Sequence, residues 1–217
     1  MINTEGFHVQ YGCWKDAPDG WLNFDCSPYL RIERVPLFGL RICRSLQSDW
    51  VPFPNCVRYG DIVKGLPLPD ESCMAVYCSH VLEHLSLNDL HKALANTERI
   101  LKAGGIFRMV LPNLSYYIKQ YVENTDADAA LEFMRLTGLG EIVRDRGIKG
   151  LARALLGNSR HRWMWDYKSL ELELMNAGFE QVRQANIGDS LDPIFSLVER
   201  SDRWVNCLGL ECTKLRQ

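Results

Sequence analysis

The stretch "MAVYCSHVLEHLSLNDLHKALANTERILKAGGIFRMVLP", residues 74–112, decides the fold. Its opening, Met74 to Ser79, is a short apolar run of strand length. Behind it Leu87, Leu90, Leu94, Thr97, Ile100 and Leu101 recur at helical spacing. Ser86 or Asn88 can cap the start of that helix, and Gly104-Gly105 is placed to stop it. "IFRMVLP" (106–112) then reads as a strand buried on both faces and ended by Pro112. Strand, helix and strand in that order predict a right-handed crossover between parallel neighbours, because a right-twisted strand feeding a right-handed helix packs back onto its sheet that way.

Upstream, "GFHVQYG" (6–12) and "WLNFD" (21–25) read as two strands joined through the turn "KDAPDG", and "NCVRYGD" (55–61) as a third, closed by Gly60-Asp61. Residues 29–53 read as a less regular segment. Its Arg31, Arg34, Arg41 and Arg44 form a solvated face more readily than an anion site, since acids such as Glu33 dilute the charge. Downstream, residues 113–165 are helical in pattern, most clearly in "ALEFMRLTGLGEIV" and "GLARALLG". A helix from Asp166 to Gly178, a sixth strand "FEQVRQA" and a seventh within "RWVNCLGLECTK" (203–214) complete the pattern. The expectation is one α/β domain over residues 1–217, with 113–165 as an insertion on the substrate side.

Composition bounds what such a domain can do. The 217 residues are 47% hydrophobic and 24% charged, and 25 basic against 27 acidic residues leave a net charge of -2. That balance gives no general attraction to nucleic acid or to an anionic membrane. The eight cysteines are scattered among apolar runs without a C-x-x-C pair, which favours reduced thiols and a cytoplasmic setting. No basic-then-apolar leader and no bilayer-length apolar run is present, so neither export nor membrane insertion is expected.

Parallel sheets bind ligands at the carboxyl ends of their strands. Those ends carry Gly12, Asp25, Asp61 and Ser79 in succession. An acid closing the second strand can accept from both hydroxyls of a ribose, one closing the third can accept from an exocyclic adenine amine, and Gly12 permits close backbone approach. "HVLEH" (80–84) also spells the H-x-x-E-H of one group of zinc peptidases. That arrangement needs both histidines on one continuous helix, whereas His80 follows directly on a strand, so no metal is expected. Glu83 suits a first helical turn, and His84 reads as a structural histidine. In "HRWMWDY" (161–167), Asp166 reads as a helix cap, Trp163 and Trp165 as packing on the sheet, and His161 as a polar group near the ligand mouth.

Taken in order, these segments resemble the class I S-adenosylmethionine-dependent methyltransferases, and within them small bacterial enzymes whose second strand reads G-W-x-N-x-D, here "GWLNFD" (20–25). The resemblance continues through "VRYGDIVKGLPLPDESCMAVYCSHVLEHL" (57–85), "LKAGGIFRMVLPN" (101–113) and "HRWMWDYKSLELELMNAGF" (161–179). It implies a Rossmann-like, seven-stranded, mostly parallel sheet with flanking helices and a helical insertion after the fifth strand. It also implies S-adenosyl-L-methionine as cofactor, with Gly12, Cys13, Trp14, Asp25, Gly60, Asp61, Ser79 and His80 around it. His80 and His161 become the candidate general bases, their ordinary pKa near 6.5 suiting that role. The acceptor implied is a small molecule, such as a sugar or glycan precursor, and the enzyme a monomer or homodimer. Two features depart from the family pattern. Trp14 stands where a second glycine is usual, so that it either crowds the methionine moiety or stacks beside it, and the 13 positions from Gly12 to Asp25 are too few for a connecting helix. The rival readings are a nicotinamide oxidoreductase, which lacks its G-x-G-x-x-G turn here, a non-catalytic binding protein of the same fold, and the zinc peptidase.

Overall fold

In the computed structural model, which describes residues 6–142 and 160–216, the crossover of residues 74–112 lies at the centre of a seven-stranded sheet. The first strands are β1 (Phe7–Tyr11), β2 (Leu22–Asp25), β3 (Arg58–Tyr59), β4 (Cys73–Ser79) and β5 (Leu101–Pro112), followed by β6 (Phe179–Ala185) and β7 (Cys207–Lys214). Their spatial order is β3-β2-β1-β4-β5-β7-β6, with β7 antiparallel to both of its neighbours and every other pair parallel. The helices are α1 (Pro28–Glu33), α2 (Gly39–Leu46), α3 (Leu87–Ile100), α4 (Leu114–Glu123), α5 (Ala129–Leu136) and α6 (Tyr167–Asn176). No helix among the described residues is long and apolar enough to cross a membrane.

The α3 helix forms for the reasons its spacing gives. Ser86 caps it by accepting from the Asp89 amide, and Leu90, Ala93, Leu94, Thr97 and Ile100 are buried along one face. The apolar members join Val9, Tyr11, Val76, Phe107 and Met109 from the sheet, and Leu170 and Leu174 of α6, in the main core. Each large aliphatic or Phe side chain there contributes about 1.5–3 kcal/mol when fully buried. The opposite face of β4 and β5 packs Ala75, Tyr77 and Val110 on Trp21, Phe195 and Val198.

Four expectations are corrected. The α3 helix stops at Ile100, ahead of Gly104-Gly105, because Leu101 already pairs with Cys73 in the sheet. The glycines serve the strand: Gly104 takes φ +74° in the irregularity that shifts the register between the Cys73 and Ala75 pairings. Residues 29–53 contain two helices instead of irregular chain. The second, α2, sets Leu40, Ile42, Cys43 and Leu46 on one side and Arg41, Arg44 and Ser45 on the other, but only Gly39 and Cys43 are buried and the stripe is eight residues long, too short to stand out in the sequence. The third strand is only two residues long, and the seventh begins at Cys207, after a short 3-10 turn at Ser201–Arg203. In the insertion, "GLARALLG" lies outside the described residues, while α4 and α5 account for its first half. No helix separates β1 from β2, as the short spacing requires.

One buried cation holds the far side of the sheet. Arg108 on β5, with a side chain 0% exposed, donates to Glu199 (2.6 Å), Asp189 (3.0 Å), Glu211 (2.9 Å) and the Asn186 carbonyl (2.6 Å). It ties β5 and β7 to the segment between β6 and β7.

Candidate functional site

The sheet order sets the carboxyl ends of β3, β2, β1 and β4 side by side. At the end of β1, Gly12 takes φ +67°, and a Cβ there would meet Val81 Cγ2 at 2.2 Å, so only glycine fits beneath that side chain. The chain then turns through Cys13 and Trp14 back onto β2. Cys13 donates its amide to the Phe24 carbonyl (3.1 Å), and Trp14 donates its amide to Asp25 Oδ2 (2.7 Å). Asp25 Oδ1 accepts the Ser27 amide at 2.7 Å. Asp25 is only 6% exposed, and burial pushes its pKa up while the two main-chain donors pull it down. Each of its oxygens keeps a further lone pair.

Trp14 itself adopts φ +50° and is 46% exposed, with its ring edge-on to Phe53 (5.1 Å) and Trp50 (5.7 Å) and the Lys15 ammonium 4.1 Å above Trp50. The indole thus extends an aromatic wall. At the end of β3, Gly60 donates to the Asp25 carbonyl (3.1 Å) and packs so close to Phe24 that a Cβ would meet its ring at 2.6 Å. Asp61 is more open, accepting the Val63 amide at 3.0 Å with Lys64 Nζ 3.2 Å away. Ser79 Oγ, at the end of β4, is buried without a hydrogen-bond partner among the described residues.

Beyond Ser79 lies a cluster of histidines. His80 turns out of the strand with φ +54°, its amide held by the Val110 carbonyl at 2.8 Å. Its Nε2 lies 3.0 Å from the Arg203 carbonyl and its Nδ1 3.4 Å from Glu83 Oε1, so both nitrogens face acceptors. Burial opposes the charged form, but contacts with Cys207, Glu83 and the Arg203 carbonyl outweigh it and raise the pKa to about 10.

Glu83 and His84 sit in a 3-10 turn, Leu82–His84, and not in the α3 helix. The segment carrying His161 docks on that turn, with the Arg162 and Trp163 amides both donating to the Glu83 carbonyl (2.7 and 3.1 Å). His161 Nδ1 lies 2.6 Å from the Thr137 carbonyl, and Gly138, at φ +66°, leaves room for the ring. Burial lowers the His161 pKa, with Glu83 opposing. Trp165 is buried in the main core and Asp166 caps α6 through the Ser169 amide at 2.9 Å, both as the sequence suggests, whereas Trp163 is 42% exposed.

The strand order and the antiparallel β7 form the frame of a methyltransferase domain, and residues 40–109 match the methyltransferase domain family model. The chain therefore has the Rossmann-like fold of the class I methyltransferases. A S-adenosylmethionine-dependent methyltransferase from Methanosarcina mazei has the same fold, with TM-score 0.51 and 13% identity over 100% of this chain and 95% of that one. A possible histamine N-methyltransferase from Thermotoga maritima gives TM-score 0.47 at 16% identity over 98% and 84% of the two chains. A putative methyltransferase from Haloferax volcanii, solved with its Trm112 activator, gives 0.48 at 14% over 97% and 83%. No curated protein matches the chain in sequence.

Within this methyltransferase-like fold, the nine residues expected from sequence divide into two groups. Gly12, Cys13, Trp14, Asp25, Gly60, Asp61 and Ser79 lie at the adjoining ends of β1 to β4, whereas His80 and His161 both border Glu83. Glu83 and His84 border the same cluster, which their expected places in a first helical turn and as a structural histidine do not anticipate. The available signal was the H-x-x-E-H spelling, whose geometry here differs from that of a peptidase helix.

Proposed function

We propose that the chain is an S-adenosylmethionine-dependent methyltransferase that transfers the sulfonium methyl in line to a small-molecule acceptor. The observation that carries this reading is the run of Gly12, Asp25, Asp61 and Ser79 at four neighbouring carboxyl ends in the class I strand order. The residues fit the cofactor: Asp25 retains lone pairs for the ribose hydroxyls, Asp61 is open to an adenine amine, and Ser79 has an unmatched hydroxyl. When bound, the cofactor supplies an already activated methyl group, so the protein's task is alignment and exclusion of water. Gly12 and Trp14 flank the methionine end, and the aromatic wall of Trp14, Trp50 and Phe53 keeps one side apolar.

The acceptor side is the cluster beyond β4. There His161 Nδ1 donates to the Thr137 carbonyl, which leaves Nε2 as the lone-pair nitrogen facing Glu83. The proposed acceptor class is the sugar or glycan precursor that the sequence resemblance implies. A second reading, a non-catalytic binding protein of this fold, draws support from Val81 covering Gly12 and from the Asp25 oxygens already holding two amides.

Equilibrium dialysis with labelled S-adenosylmethionine separates the two groups of residues. Asp25→Ala is expected to weaken binding at least tenfold, the equivalent of about 1.4 kcal/mol or more, as expected for loss of a charged hydrogen-bond partner. His161→Ala is expected to bind the cofactor as the wild type does. Equal cofactor binding by wild type and Asp25→Ala would overturn the placement, and absence of binding by either would leave the non-catalytic reading.

A further inference from the structure

We propose that Glu83, His84 and His161 form a binding site for a divalent first-row transition-metal ion, with Zn2+ the type ion for two imidazole nitrogens and one carboxylate. One ligand atom from each residue lies within 4.8 Å of the others. His84 Nε2 is 3.9 Å and His161 Nε2 4.0 Å from Glu83 Oε1. Atoms bound to one zinc ion at about 2.0–2.2 Å sit about 3.4 Å apart in a tetrahedron, so the ligands need to close by about an ångström.

Two independent features point to a cation. Glu83 is 0% exposed, its Oε1 has only His80 Nδ1 at 3.4 Å facing it outside the proposed ligands, and its Oε2 has no hydrogen-bond partner among the described residues. Burying a carboxylate in that way is costly unless a charge or a metal compensates it. The second feature is the orientation of the histidines. His84 Nδ1 lies 3.0 Å from the Arg160 carbonyl and His161 Nδ1 2.6 Å from the Thr137 carbonyl. A carbonyl only accepts, so each Nδ1 carries the proton and each Nε2 presents its lone pair toward Glu83. Metal-bound histidines are usually held in this way, with the remote N–H donated to a carbonyl or carboxylate.

The site is not that of an H-x-x-E-H peptidase. His80 leaves β4 in the left-handed region and turns to the Arg203 carbonyl, so it flanks Glu83 without joining the ligands. The second histidine ligand comes instead from His161, whose segment is fixed by the two amides on the Glu83 carbonyl. Two histidines and one carboxylate leave at least one position open for a ligand. On the methyltransferase reading that position would take an oxygen of the acceptor and lower its pKa, its proton passing to solvent, so that His161 would act as a ligand to the ion and not as a free base. Ion binding itself does not depend on that reading.

The test is titration of the chelator-stripped full chain with Co2+ alone, followed by its visible d–d absorption and by competition with Zn2+. One equivalent is expected to bind with no thiolate charge-transfer band. Glu83→Gln and His161→Ala are each expected to weaken binding at least tenfold, and His91→Ala, whose ring pairs with Glu173 on the outside of α3, leaves it unchanged. His161→Ala guards against a folding defect in the buried Glu83 variant, and a thermal melt of each confirms the fold. Absence of saturable binding, a thiolate band, or unchanged affinity in His161→Ala would overturn the site. S-adenosylhomocysteine binding by the same stripped protein is measured separately, so failure of the metal site and failure of the methyltransferase reading remain distinguishable.

Discussion

Arg108→Ala is expected to lower the stability of the protein by about 3–5 kcal/mol, the cost of breaking a buried ion pair by removing one partner. The magnitude follows from what remains behind. Glu199, whose side chain is only 2% exposed, keeps a buried carboxylate with its counter-charge gone, while Glu211, 9% exposed, is left with Arg183 alone at 2.6 Å. The Asn186 carbonyl loses its donor as well, and Trp204, over whose ring the guanidinium sits at 5.1 Å, loses a packing partner. For a chain of this size each kcal/mol corresponds to about 2–4 °C in Tm, so the midpoint falls by about 10 °C. Urea unfolding checks it: the midpoint concentration drops with little change in slope. A loss below about 1 kcal/mol would show that water reaches the acids and that the network contributes little.

Gly12→Ala is expected to combine a loss of stability with a loss of cofactor binding. The residue takes φ +67°, where alanine is strained, and its added Cβ would lie 2.2 Å from Val81 Cγ2. Strain and overpacking together predict a cost of about 2–4 kcal/mol. Relief by rotating Val81 would move it along the turn that carries Ser79 and His80, on the side where the methionine moiety would lie. The affinity for S-adenosylhomocysteine is therefore expected to fall more than tenfold in variant protein that a melt shows to be folded. Wild-type affinity in folded Gly12→Ala would mean that the ligand does not approach this turn.

Much of this frame is legible in the amino-acid sequence because its periods are clear. The run from Met74 to Pro112 switches from strand to helix to strand, β6 occupies the same seven residues that its pattern marks, and Asp166 caps the helix it precedes. The α2 helix is hidden because its apolar stripe runs for only eight residues, a length at which helix and strand patterns are hard to tell apart, and the helix-stopping role of Gly104 gives way to a strand irregularity set by the pairing of Leu101. At the site, the acids ending β2 and β3 are legible as positions, but nothing in the linear order says that Trp14 and Ser27 would occupy one hydrogen-bonding position on each Asp25 oxygen. His161 meets Glu83 and His84 only through the docking of a distant segment. The letters of "HVLEH" do not reveal that His80 turns away through a left-handed backbone.

The most direct measurement is a thermal melt of the metal-stripped wild-type protein with and without S-adenosylhomocysteine. A ligand that binds only the folded chain stabilises it by RT ln(1 + [L]/Kd), about 2.7 kcal/mol at a hundredfold excess over Kd. For this chain that corresponds to a rise of several degrees in Tm, which is the predicted result. An unchanged melt at saturating ligand concentrations would contradict the account and mean that Val81 and the tied Asp25 close the site to the cofactor.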